Sequence, residues 1–332
     1  MTIAGCRRFG RTEFKEIFSL YQYRSLQDDS GVTVEVIGFG LAGACVALRL
    51  QERGVRVRVV DDGLAGSTLV AAGLVNPVAG RNFEPSSRVQ DAWDEAEAFY
   101  CDLDVTLWHP LPIKRLWRDE KDRAKFERKR EIVSPWIESV DEEGVTWNQG
   151  GWLETARFLT IARERFCKNG GIISRAQDEM DQRIWCTGSA GLIRGEFGEV
   201  GHRCAKGEIL TVKICDWNEK RILTKNGWLI PLGGDLYRVG ATYDWDGLET
   251  GPSDDGRARV EKILRGFTQR DFEVMDHVAG VRPIIHRSEA VILFQEEKGW
   301  MLNGLGSKGV IYAPSVARDL VEKVISEAEL SG

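Results

Sequence analysis

Residues 32–61 read V-T-V-E-V-I-G-F-G-L-A-G-A-C-V-A-L-R-L-Q-E-R-G-V-R-V-R-V-V-D. An apolar strand, a G-x-G-x-x-G turn, a helix, a second apolar strand and a terminal acid follow in register, a pattern that a βαβ unit satisfies. The glycines are Gly38, Gly40 and Gly43, and Asp61 lies 23 residues beyond Gly38. The first glycine permits the tight turn, the second lets backbone approach a pyrophosphate, and the third lets helix and strand pack closely. Amide N–H groups at the helix start, with the helix dipole, favour anionic phosphates. Asp61 suits a ribose with a free 2′-hydroxyl and would repel a 2′-phosphate. The spacing predicts a dinucleotide site; a purely structural glycine turn is the plainer alternative.

The 332 residues suffice for one large domain or two ordinary ones. No apolar run approaches the roughly 20 residues that span a bilayer. A net charge of −6 gives no overall drive toward nucleic acid or anionic membrane. Seven cysteines are scattered without a C-x-x-C pair, which suits reduced thiols in a cytoplasm better than a disulfide framework. The four histidines show no metal-ligand spacing either, so no metal is expected. Residues 1–30 carry Arg7, Arg8, Arg11, Lys15 and Arg24 but no apolar secretory core, and read as an extension outside the fold. The first strand is expected from about Val32.

The passage 63–83 is too apolar for a solvated linker and too glycine-rich for a helix, as loops are where backbone passes a ligand. A helix is expected over 86–101, and a strand-containing segment over 103–152. The charged run 114–131 reads as a solvated helix face rather than a nucleic-acid patch. Residues 153–168 have helical apolar spacing and stop at Asn169-Gly170-Gly171. Residues 207–248 alternate strands and turns as antiparallel sheet, 257–267 read as a helix, and 300–325 as strand, glycine loop and helix. The expected arrangement is an interleaved one, with a dinucleotide domain from 31–83, 153–206 and 278–328 and a sheet-rich domain from 84–152 and 207–277.

Several short motifs now fall in a telling order. They are V-I-G-F-G-L-A-G with Asp61, Ser67-Thr68, Ala71-Ala72-Gly73-Leu74, I-W-C-T-G (184–188), K-G-E-I-L (206–210), Y-R-V-G-A-T-Y (237–243), A-G-V-R-P (279–283) and N-G-L-G-S-K-G-V (303–310). In this order they resemble the FAD-dependent amine and amino-acid oxidases, the family of D-amino acid oxidase, glycine oxidase, sarcosine oxidase and the flavin domain of a tRNA wobble-uridine modification enzyme. The resemblance covers residues 32–325. It implies an α/β fold with a Rossmann-like FAD-binding domain of the glutathione-reductase type, interleaved with an antiparallel-sheet substrate domain. It implies FAD as cofactor, contacted by Gly38, Gly40, Leu41, Ala42, Gly43, Asp61 and Asp62, by Ser67, Thr68, Ala72, Gly73 and Leu74, by Thr187 and Gly188, and by Gly304, Gly306, Ser307, Lys308 and Gly309.

Arg282 matches an arginine that binds the substrate carboxylate in several relatives, and a planar guanidinium offers a carboxylate two parallel donors. Its bland reading is a backbone tie before Pro283. Lys308 either adds charge near the flavin or is simply solvated. Arg81, Tyr243 and Arg282 are the side chains expected to hydrogen-bond in the pocket, although a buried structural tyrosine is the plainer reading of Tyr243. Beyond R-P the family's T-x-D-x-x-P-x-I-G pattern is replaced by I-I-H-R-S-E-A-V-I-L-F (284–294), with His286 and Glu289 or Ala290 at altered positions. That puts the substrate-side wall in doubt. No cysteinyl-flavin link can be read from the sequence.

The leading expectation is an FAD-dependent oxidoreductase acting on the C–N bond of an amino acid or secondary amine. A flavin-dependent tRNA-modifying enzyme is the alternative, because N-P-x-x-G-R-x-F (76–83) resembles that branch; the acidic balance disfavours nucleic acid. A non-catalytic flavoprotein is a third reading. An NAD-dependent dehydrogenase gives the closing N-G-L-G-S-K-G element no role.

Overall fold

The computed structural model describes residues 34–331, apart from 64–65, 86–87, 177–181 and 286–289. The expected N-terminal extension therefore lies outside the described residues, as do His286 and Glu289.

The G-x-G-x-x-G stretch folds as read: β1 (Val34–Ile37), α1 (Leu41–Glu52) and β2 (Val57–Val60). Both strands are buried throughout, as parallel strands covered on two faces must be. Their charged residues, Glu35 and Arg58, are fully buried against each other, and Arg183 supplies Glu35 with a second cation at 3.1 Å. Strands β9 (Ile172–Ser174) and β10 (Arg183–Trp185) pair parallel with β2 and β1. β17 (Gly299–Asn303) pairs parallel with β10, and β16 (Val291–Gln295) runs antiparallel at the edge. The sheet order is thus β16-β17-β10-β1-β2-β9. Its core takes in α1, α3 (Val89–Leu103), α5 (Thr155–Lys168) and α8 (Gly309–Ser331). Tyr100 of α3 ties this layer together by donating to the Val310 carbonyl at 2.8 Å.

A second sheet has eight strands in the order β15-β11-β14-β13-β12-β5-β7-β6. They are β5 (Ile113–Leu116), β6 (Ile137–Val140), β7 (Gly144–Trp147), β11 (Ala205–Lys213), β12 (Ile222–Thr224), β13 (Trp228–Gly233), β14 (Leu236–Gly240) and β15 (Glu273–Arg282). All neighbours are antiparallel except β5 and β12. One face packs on Ala72, Val78 and Phe83, and the other on helix α7 (Asp254–Arg265). A small antiparallel sheet, β3 (Leu74–Val75), β8 (Gly151–Leu153) and β4 (Trp108–Pro110), joins the glycine-rich loop to the rest.

Two local expectations are corrected. The loop 63–83 contains a helical turn, α2 (Ser67–Val70), as well as β3. The charged run 114–131 is not all solvated helix. Lys114 and Arg115 lie buried in β5, and only 120–133 form a helix, α4 (Glu120–Val133). Lys114 pairs with Asp141, and Arg115 lies over the Phe83 ring beside Asp122. Partners brought by tertiary structure make these two burials tolerable, and local charge density cannot foretell them. A short helix, α6 (Gly188–Arg194), completes the elements described.

Candidate functional site

The carboxyl ends of β1, β10 and β17 point to one place. Gly38 leaves β1 at φ +96°, and a Cβ there would stand 2.6 Å from the Cys186 carbonyl oxygen. A Cβ on Gly43 would stand 1.9 Å from the Gly38 oxygen, so α1 sits on β1 at a distance only glycine allows. Gly40 differs: its added Cβ would meet only the Thr68 hydroxyl, at 3.6 Å. Helix α1 begins at Gly40 with no acidic residue in its first turn and no side-chain cap from Gly40 itself. Thr68, carried by α2, accepts the Leu41 N–H at 3.1 Å. The remaining first-turn amides and the positive helix end suit a diphosphate.

Asp61, at the end of β2, accepts the Phe39 N–H at 3.4 Å and pairs with Arg163 of α5. Arg163 in turn lies 5.0 Å above the Phe39 ring. Asp62 beside it is exposed. The closing loop comes from the far end of the chain. Asn303, buried at the end of β17, donates from Nδ2 to the Gly188 carbonyl at 3.0 Å and accepts the Gly304 N–H at 2.8 Å. The Gly306 N–H donates to the Pro283 carbonyl at 2.9 Å. A turn of 3-10 helix, Gly306–Lys308, leads into α8, whose first residue, Gly309, abuts Leu41. Ser307 is exposed and Lys308 half-buried. The structure therefore brings together Gly38, Gly40, Leu41, Ala42, Gly43 and Thr68 with Gly188, Gly304 and Gly309. Ala72, Gly73 and Leu74 follow Thr68 through β3, which pairs with β8.

The eight-stranded sheet presents one face to this cluster. Gly207 and Gly280 are cross-strand partners on β11 and β15. A Cβ on Gly280 would meet Val70 and Ser67, and one on Gly207 would meet the Arg282 guanidinium. Arg282 therefore lies on the sheet face turned toward the Ser67–Val70 turn. Its Nη1 donates to the Thr242 carbonyl at 3.4 Å and its charge lies 5.1 Å above the Tyr243 ring. It has no carboxylate partner among the described residues. Burial pulls the guanidinium below its usual pKa, against the opposing pull of Tyr243 and Asp244. The backbone tie is thus a single long hydrogen bond. Tyr243 is 42% exposed rather than buried, because β14 ends at Gly240 and the tyrosine stands on the loop beyond it. Arg81 is exposed and offers only its carbonyl, to Arg115 and Arg118; no described contact joins it to Arg282.

Arg238 on β14 escaped the sequence reading. Burial lowers its pKa too, and its guanidinium donates to the Ala71 carbonyl at 3.4 Å. Asn303, Gly207 and Gly280 stood inside quoted motifs without a role; strand alternation around Arg282 was the available signal for the two glycines. A pocket of about 320 Å³ lies beside Tyr243 and Trp245, lined also by Lys206, Glu208, Ser253 and Arg259. Lys206 and Glu208 alternate with Gly207 along β11, so these charges belong to the opposite sheet face.

A family model described as DAO, FAD dependent oxidoreductase, matches residues 33–323. The chain belongs to this FAD-dependent oxidoreductase family. Among solved structures of this flavoenzyme fold, glycine oxidase from Bacillus cereus ATCC 14579 superposes with a TM-score of 0.70 at 17% identity, covering 89% of this chain and 95% of that one. Iminodiacetate oxidase (IdaA) from Chelativorans sp. BNC1 gives 0.72 at 16% identity, covering 88% and 95%. These likenesses establish the mixed α/β fold. A curated relative is the tRNA 5-methylaminomethyl-2-thiouridine biosynthesis bifunctional protein MnmC of Idiomarina loihiensis, 24% identical over 343 positions, covering 89% of this chain and 56% of the relative. The Maricaulis maris protein of the same name is 26% identical over 315 positions, covering 88% and 52%. The chain spans about half the length of these curated relatives.

The residues present fit FAD. The amide-rich start of α1, the open space at Gly40 and the carboxylate of Asp61 match its diphosphate and ribose, and the family is FAD-dependent. No described helix is long and apolar enough to cross a membrane.

Proposed function

We propose that this oxidoreductase acts on the C–N bond of an amino acid or secondary amine that carries a carboxylate. The observation that carries the reading is Arg282, half-buried, without a carboxylate partner among the described residues, on the sheet face turned toward the Ser67–Val70 turn. A guanidinium desolvated in this way gains most from a bidentate carboxylate. Its grip fixes the carbon that bears the nitrogen, which is the positioning such a reaction needs. When bound, the flavin supplies the acceptor for a hydride equivalent. The hydrogen leaves that carbon with its bonding pair, the nitrogen lone pair closes a C=N bond, and water then cleaves the imine to a carbonyl and an amine. No acid–base pair from the chain is required beyond an unprotonated amine. The cofactor contacts are proposed as those brought together around the start of α1, with Gly306, Ser307 and Lys308 near the flavin ring. The division into an FAD part and a substrate part is proposed along the two large sheets.

A second reading places the amine on RNA. The curated relatives are named for a tRNA nucleoside whose methylaminomethyl group contains a C–N–C linkage, and N-P-x-x-G-R-x-F (76–83) supports kinship with them. The proposed chemistry is the same in either case.

The test is anaerobic mixing of FAD-loaded protein with a panel of amines and amino acids. At least one carboxylate-bearing amine should bleach the visible flavin band. Arg282→Lys, which keeps the charge but loses the fork, should lower the second-order rate of bleaching by about 10- to 100-fold. Flavin that no amine on the panel reduces would sink the proposal.

A further inference from the structure

Asp61 is fixed at three points, and one of them lies outside the glycine motif. Its backbone N–H donates to the Ser174 carbonyl at 2.9 Å, one carboxylate oxygen accepts the Phe39 N–H at 3.4 Å, and the other pairs with Arg163 Nη2. Arg163 stands on α5, beside the buried stripe of Phe158, Ala162 and Phe166. Its guanidinium lies 5.0 Å from the centre of the Phe39 ring, and that ring packs on Phe166 with centroids 5.7 Å apart. Arg163 therefore touches both ends of the motif: the residue between its first two glycines and the acid that closes it. The pair is shielded, with the two side chains 20% and 14% exposed, so salt screens it less than a surface pair. A carboxylate has about four acceptor positions, and Phe39 and Arg163 take one at each oxygen. Each oxygen keeps a further acceptor position, and the group is held against rotation.

We propose that Arg163 is a positioning residue of the FAD site: it holds Asp61 in the one orientation that reads the two hydroxyls of the adenosine ribose. The inference concerns the cofactor and stands whatever substrate the protein oxidises. An unanchored aspartate at the end of a strand samples several rotamers, and a ligand that needs one of them must order it. Held beforehand, the carboxylate receives the ribose without that cost. Arginine suits the task better than lysine, because a planar guanidinium can lie over an aromatic ring while an edge N–H meets the carboxylate. A plain tie between α5 and β2 is the rival reading. Such a tie would stabilise the fold and leave recognition of the ribose hydroxyls indifferent to Arg163.

The experiment uses the full-length protein, loaded either with FAD or with an FAD analogue that lacks both hydroxyls of the adenosine ribose. Dissociation constants are read from the change in flavin fluorescence on binding. The unsubstituted protein should hold FAD about 10- to 100-fold more tightly than the analogue. Arg163→Leu should lower that ratio to below about three-fold, and Arg163→Lys should keep most of it. Loss of charge alone weakens both ligands equally, since they carry the same diphosphate, and so does a general loosening of α5; neither moves the ratio. In the Asp61→Ala background the ratio should be about one, and adding Arg163→Leu should change it by less than about two-fold. Should Arg163→Leu fail to fold, Arg163→Gln, which keeps a polar side chain without the charge, should still cut the ratio about three-fold. A ratio of about one in the unsubstituted protein overturns the inference, as does a ratio that Arg163→Leu or Arg163→Gln leaves unchanged or raises. An equally large effect of Arg163→Leu in the Asp61→Ala background also overturns it, because Arg163 would then act on the cofactor without Asp61.

Discussion

Gly40 and Gly43 are three residues apart and make opposite demands. The space beside Gly43 is filled by the protein itself, with the Gly38 oxygen 1.9 Å from an added Cβ, whereas the space beside Gly40 is open. Gly43→Ala is therefore expected to lower unfolding free energy by about 1–3 kcal/mol, as overpacking does, and to strip FAD because α1 shifts. Gly40→Ala should leave cofactor-free stability within about 0.5 kcal/mol and still weaken FAD. Urea unfolding of the apoproteins, with the ratio of flavin to protein absorbance after gel filtration, measures both. Equal stability losses would show that Gly40 is not reserved for a ligand. The turn at Gly38 and the close packing at Gly43 were legible because both are set by backbone geometry within one βαβ unit. Burial, the plainer alternative for Tyr243, fails because its exposure depends on where β14 stops, and Arg238 was missed because its burial depends on the distant Ala71 loop.

Strand β11 and helix α7 are joined by Glu208. Its carboxylate accepts the Ser253 N–H at 2.9 Å and the Ser253 hydroxyl at 2.8 Å, pairs with Lys206 at 2.9 Å, and meets His277 Nε2 at 2.8 Å. Ser253 passes the restraint on by accepting the Gly256 N–H, the N-terminal cap of α7. Burial opposes ionisation of Glu208, but the Ser253 N–H, Lys206 and the Ser253 hydroxyl outweigh it and hold the carboxyl below its ordinary pKa. A carboxyl whose pKa falls on folding stabilises above the unfolded value, about 4.3 for glutamate, and loses that contribution as pH drops through the folded value. Glu208→Ala should cost about 3 kcal/mol at pH 7, and the gap from the unsubstituted protein should narrow below about pH 4. Urea midpoints at the two pH values measure it; a gap independent of pH would mean that the contribution is packing alone. At this scale the sequence revealed which segments are strands and helices but not their partners. The antiparallel run 207–248 was plain from alternation, whereas the parallel pairing of β12 with β5 brings together residues about a hundred apart and left no local mark.

On the scale of the whole molecule, FAD and fold are linked. A ligand that binds only the folded chain at 100 times its dissociation constant adds about 2.7 kcal/mol. The melting temperature of the apoprotein should therefore climb with the logarithm of FAD concentration and ignore NAD, as differential scanning fluorimetry would record; indifference to FAD would contradict the cofactor assignment. The mixed α/β fold was legible because the family motifs occur in order along the chain. The part played by 284–294 was not, since its departure from the family pattern removes the comparison that would have placed it.

The contact between Gly309 and Leu41 and the Asn303 bridge to Gly188 have a temporal meaning. A ribosome makes the Gly38–Gly43 turn well before the segment that packs against it. The nascent chain carries two unjoined halves over the interval between them, so they meet only after the intervening sheets have been made.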